Sequence, residues 1–148
     1  MFKPNATVAA IVKFEDKYLL VEEKDKQTGD IVFNQPAGHL EHNESLLDAV
    51  SRELKEETGY LLQPDYLLGV YQYTAPSNNT TYLRFCFIFE PAFKPSGFGP
   101  SDSDIINTHW LTYSELSAKP LRSPLVVKCI DDYLAGQKLP LTAIHRFN

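Results

Sequence analysis

The stretch GHLEHNESLLDAVSRELKEETGY, from Gly38 to Tyr60, sets the tightest limit on what this chain can build. Leu46, Leu47, Val50 and Leu54 recur at helical spacing. That predicts an amphipathic helix that starts at Asn43 or Glu44 and stops at Gly59. Glu53, Glu56 and Glu57 crowd into little more than one turn of it, with Arg52 just ahead. Like charges this close on a helix repel by about 0.2–0.5 kcal/mol per pair. With about 100° per residue and Val50 at the middle of the apolar stripe, Glu57 falls ~20° from the stripe, Glu53 ~60° and Glu56 ~120°. A solvated charge face lies opposite the stripe. Glu53 and Glu57 flank it instead.

Two readings compete. One is a glutamate-rich surface helix, since Glu is a good helix former. The other is a metal site. Carboxylates at adjacent and i, i+3, i+4 positions converge on a small volume, and Mg²⁺ takes hard oxygen ligands from one or two carboxylates plus water and substrate phosphates. A divalent ion turns the repulsion into attraction. The helical phase favours the metal. Arg52 can pair with Glu56 four residues on, or with Glu44, and so orient a carboxylate.

The rest of the chain supplies a single domain, residues 1–148. Strand-like runs at Thr7–Phe14 and Tyr18–Glu22 flank the turn EDK, and IVFNQPAGHL reads as strand pieces around a bend at Pro36 and Gly38. Further strands are expected near Tyr66–Tyr73, Tyr82–Glu90 and NTHWLT. YSELSA reads as a short helix, and SPLVVKCIDDYLAG as an amphipathic one with Ser123 as cap and Pro124 in its first turn. KPSGFGPSDSD is a long, flexible-looking loop of the kind that carries function. Strands and helices mix without regular βαβ alternation. An α+β fold follows, with a mixed sheet flanked by helices.

Composition excludes several classes. The formal net charge is −5 and the 14 Lys and Arg are scattered, so no basic stripe for duplex nucleic acid exists. No run nears the ~18 apolar residues of a membrane span. The N-terminus lacks a cleavage pattern, which leads us to expect a cytoplasmic protein, and a monomer. Cys86 and Cys129 have no metal spacing and read as buried free thiols. Phosphate-loop, HExxH and dinucleotide-glycine motifs are absent.

Gly38, Glu44, Arg52, Glu53, Leu54, Glu56, Glu57, Gly59 and Tyr60 stand in the register of the Nudix box. The stretch resembles that family at every defined position. MFKPNATVAAIV, NQPAGHLE, LRF, SDSDI and LRSPLV extend the likeness over nearly the whole chain, to a phosphatase branch of the family. Ala37 departs from the commoner Pro-Gly-Gly approach to the box, which weakens a likeness to oxidised-nucleotide sanitisers.

The resemblance implies an α/β/α sandwich with a loop-helix-loop motif, and phosphoanhydride hydrolysis with Mg²⁺, or Mn²⁺ in its place. Glu53, Glu56, Glu57 and the carbonyl of Gly38 would hold the ion. Arg52 would orient a glutamate, and Glu44 would anchor the loop to the helix. The general base would be Glu53 or Asp104, with Asp102 behind it. The implied substrates are thiamine-pathway pyrimidine diphosphates, thiamine diphosphate and nucleoside di- and triphosphates, losing inorganic phosphate. A nucleoside-triphosphate pyrophosphohydrolase and a non-catalytic binding module are the alternatives.

For the organic group, Arg84 either reaches a substrate phosphate or snorkels at a sheet edge. Asn34 and Gln35 are candidates to bond a ring edge. Tyr73, like Tyr71, is a candidate to stack on it.

Overall fold

Strand β1 (Asn5–Phe14) is apolar on both faces, and the computed structural model, which describes residues 1–148, shows why. Val8, Ala10 and Val12 belong to one core, Ala9 and Ile11 to another. β1 runs through the middle of a seven-stranded mixed sheet. It pairs in parallel with β6 (Thr81–Phe89) and antiparallel with β4 (Ala37–His39) and, at its end, β2 (Lys17–Lys24). β5 (Tyr66–Thr74) continues the sheet beyond β6. β2 pairs with β3 (Ile31–Asn34) and β7 (Ile105–Thr112).

Helix α1 (Leu46–Thr58) packs Ala49, Val50 and Leu54 onto Val8, Ala10, Leu19, Phe87 and Phe89. The short α2 (Tyr113–Ser117) and α3 (Leu125–Leu134) cover the other face, where Leu116, Val126, Cys129 and Ile130 meet Ile11, Leu20, Cys86 and Ile88. The result is the expected α/β/α sandwich. Each fully buried aliphatic or aromatic side chain contributes about 1.5–3 kcal/mol. Both cysteines are buried and free. No helix is long and apolar enough to cross a membrane.

The expected start of α1 moves. Ser45, not Asn43 or Glu44, is the cap, and its Oγ accepts from the Asp48 N–H at 3.0 Å. Asn43 sits in a left-handed turn at φ 60°, and Glu44 is drawn away to Arg52. Pro124 is the residue before α3, and Ser123 Oγ accepts the Leu125 N–H at 3.2 Å.

The 90–104 loop is moored rather than free. Ser101 and Asp102 donate their backbone N–H groups to Glu56 O at 2.8 and 3.1 Å, at the end of α1. The approach needs glycine. A Cβ on Gly97 would lie 2.3 Å from Gly59 O. Gly59 itself ends α1 at φ 81°. The last turn of the helix thus fixes where the SDSDI acids stand.

Candidate active site

Helix α1 delivers its acids to the edge strand β4. Glu57 is 5% exposed and Glu53 9%, in line with their helical phase. Glu57 Oε1 accepts the Ala37 N–H at 3.0 Å. Glu53 lies against Gly38, where any Cβ would fall 2.1 Å from its carboxyl carbon. The bend that sequence reading placed at Pro36 and Gly38 is therefore a cradle for two carboxylates.

Arg52 ties the group together. Its Nε reaches Glu44 Oε2 at 2.6 Å and its Nη2 reaches Glu44 Oε1 at 3.0 Å, a bidentate pair. Nη1 donates to Glu53 Oε1 at 2.8 Å and Glu56 Oε2 at 3.2 Å, and Nη2 to His39 O at 3.1 Å. The Glu44 carboxyl titrates below its usual range because Arg52 bonds it. Glu44 thus joins the loop to the helix, and Glu53 keeps Oε2 free of protein donors.

The buried acids titrate the other way. Burial pushes Glu57 up to about 9, against the pull of the Ala37 N–H, with Glu23, Glu53 and Asp102 adding repulsion. Burial also raises Glu53, partly offset by Arg52. Negative charge is expensive in this place, and the protein supplies no buried cation to neutralise Glu57.

Gly38, Glu53 and Glu57 open into a pocket of about 850 Å³ that Asn34, Tyr73, Arg84, Asp102 and Asp104 also line. Most predicted site residues therefore come together. Glu56 stands aside, half exposed on the Arg52 flank. Asp104 is paired with Lys26 Nζ at 2.9 Å, a residue that lines the same pocket. Asp102 accepts the Asp104 N–H at 2.9 Å, and it is the charge of Asp102 that bears on Glu53 and Glu57.

Two expectations about the organic group change. Gln35 cannot bond a ring edge, because it is 1% exposed with both ends engaged, Nε2 on Val126 O at 2.8 Å and Oε1 under Arg84 Nη2 at 2.9 Å. Tyr71 is no stacking platform either, since its hydroxyl donates to Asp132 Oδ2 at 2.8 Å and its ring packs on the α3 core. Asn34 remains in the pocket and accepts from Arg84 Nη2 at 3.3 Å.

Among the pocket residues that sequence reading missed are Glu23, Arg122 and Tyr82. Glu23 is held by Arg122 at 3.2 Å, and burial raises its carboxyl pKa. The adjacent pair Glu22–Glu23 closing an apolar strand was its signal. A bulge at that point turns Glu23 into the site. Tyr82 is the cross-strand partner of Tyr73. Arg122 has no local signal, because the backbone pairing of Arg122 N with Phe33 O, at 2.9 Å, presents it.

Residues 1–129 match the NUDIX domain family. The chain belongs to the Nudix family. It is 46% identical to phosphatase NudJ of Escherichia coli (strain K12), over all of this chain and 95% of that protein. The NUDIX hydrolase of Nitrosomonas europaea shares the fold at a TM-score of 0.89, with 47% identity and 98% of each chain covered. The NUDIX domain of Shewanella oneidensis NrtR, solved with ADP ribose, shares the Nudix fold at a TM-score of 0.76 and 17% identity over 92% of this chain and 90% of that one. As a Nudix hydrolase the chain acts on phosphoanhydride bonds.

Proposed function

We propose that the chain is a Mg²⁺-dependent phosphohydrolase that removes the terminal phosphate from thiamine-pathway pyrimidine diphosphates, thiamine diphosphate and nucleoside di- and triphosphates. The observation that carries this reading is the burial of Glu53 and Glu57 on either side of Gly38, at one end of the 850 Å³ pocket. The full-length similarity to phosphatase NudJ supports the release of phosphate.

The donor set fits Mg²⁺. No three acidic, His or Cys side chains stand together as a metal-holding group. Mg²⁺ does not need one, since it keeps waters and binds through a few carboxylates and substrate phosphates. Glu53, Glu57 and the Gly38 carbonyl would hold it, with Mn²⁺ able to substitute, while Glu56, expected among the ligands, is turned to Arg52. When bound, the ion neutralises phosphate charge and acidifies a water.

The chain's own groups do the rest. Arg52 pins Glu53 Oε1, so that Oε2 is left to take the proton of the attacking water. The water oxygen bonds the terminal phosphorus, and the bridging P–O bond breaks on the far side. The Ala37 N–H steadies Glu57 in its ionised form. Asp102 rather than Asp104 is the acid we place behind Glu53, because Asp104 is occupied by Lys26.

Incubation with Mg²⁺ and a panel of thiamine-pathway diphosphates and nucleotides tests this. Free phosphate with the organic monophosphate is the expected product. Pyrophosphate as the only inorganic product from nucleoside triphosphates would replace the reading with that of a pyrophosphohydrolase.

A further inference from the structure

Arg84 is 5% exposed, yet no carboxylate pairs with it. Its Nη2 donates to Gln35 and Asn34, both neutral amides. Its Nε is wholly shielded and has no partner at all. A buried guanidinium without a counter-charge is costly. Two amide dipoles aim it and do not neutralise it. Strand β6 lies between β1 and β5, so Arg84 cannot snorkel past a sheet edge. Its open direction is the pocket that it shares with Glu53 and Glu57.

Sheet register places Arg84 along that pocket. Thr7 of β1 stands between His39 of β4 and Arg84 of β6. Two strand spacings, about 10 Å, therefore separate the backbone at the glutamate cradle from that of Arg84. Tyr82 and Tyr73 pair on the next rung along β6 and β5. From the cradle outward the order is carboxylates, then a buried cation, then two aromatic rings. A diphosphate ester has the matching order: a terminal phosphate, an inner phosphate, an organic group.

Resting on the proposed function, we infer that Arg84 is the subsite for the phosphate that stays on the organic group. Gln35 is the positioning residue that aims it. Gln35 is suited to that task because its Nε2 is fixed on the Val126 carbonyl in the first turn of α3, which leaves Oε1 facing the guanidinium. An amide there orients Arg84 and leaves its charge for the ligand. A carboxylate at this position would neutralise it.

The subsite predicts that the organic monophosphate product binds without metal. The test is calorimetric titration of AMP into the protein in EDTA. Wild type is expected to bind. Arg84→Gln and Gln35→Glu are each expected to weaken AMP at least about tenfold, the loss of a charge-assisted contact. Arg84→Lys should recover part of the affinity. In Mg²⁺ turnover of ADP, Gln35→Met should raise KM with kcat nearly unchanged, which a general loss of structure would not do. If Arg84→Gln does not fold, Gln35→Glu and Arg84→Lys decide. Wild type that hydrolyses ADP but binds no AMP, or folded variants that bind AMP as wild type does, would overturn the subsite and leave the proposed reaction standing. AMP binding without any hydrolysis would overturn the reaction and leave the subsite.

Discussion

A Cβ on Gly38 would lie 2.1 Å from the carboxyl carbon of Glu53. The bend before α1 and the acid inside it are thus one device: the missing side chain is the space that the carboxylate fills. Gly38→Ala should push Glu53 out of place and lower kcat by roughly 10²-fold, the order expected for a displacement near 1 Å. Far-UV circular dichroism should stay unchanged, and full activity would show that Glu53 does not work from this position.

Arg52 joins Glu44, Glu53, Glu56 and the His39 carbonyl through one planar group. Lysine keeps the charge and loses the fork. Arg52→Lys should therefore cost about 10–100-fold in metal affinity or turnover, as loss of a ligand-orienting partner does. Mg²⁺-dependent initial rates check this. A variant within twofold of wild type would reduce Arg52 to a surface ion pair.

Asp102 and Asp104 separate cleanly by partner. Asp104 is paired with Lys26, while the charge of Asp102 acts on the buried acids. Asp102→Asn is expected to slow turnover. Asp104→Asn is expected to leave it close to wild type. The reverse order in steady-state rates would return the base to Asp104.

Metal-free protein should lose stability as pH rises. Glu57 titrates near 9 when folded and near its ordinary 4.5 when unfolded. Between those values the folded chain holds the extra proton, so stability is full below the lower value and is lost toward the upper one. Burial raises Glu53 and Glu23 in the same direction. Thermal melts in EDTA across this range should show a falling Tm, with a shallower fall in Glu57→Gln. A Tm that climbs with pH would contradict the assignment. Metal binding at neutral pH should release protons, because the ligand must ionise.

Much of this arrangement was legible in the sequence because it is written in local periodicity. Glu53 and Glu57 betrayed themselves by phase against Val50, and burial follows phase. Along β6, Phe87 and Phe89 pack into one core and Cys86 and Ile88 into the other, as strand alternation dictates. The start of α1 was misplaced because Asn43 and Ser45 both suit a cap, and what decides between them, the left-handed turn at Asn43 and the pull of Arg52 on Glu44, is not local. Gln35, Arg122 and Asp102 owe their roles to partners far along the chain: Val126, Phe33 and Glu56. No local pattern encodes such contacts.

The central claim is that Glu57 is a buried carboxylate held ready for a divalent ion. Titration of Mn²⁺ into wild type and Glu57→Gln, followed by electron paramagnetic resonance of the free ion, tests it most directly. Wild type should take up Mn²⁺, and the variant, folded with an equal or higher metal-free Tm, should lose that binding together with turnover. Equal Mn²⁺ uptake and equal turnover in the two proteins would contradict the account.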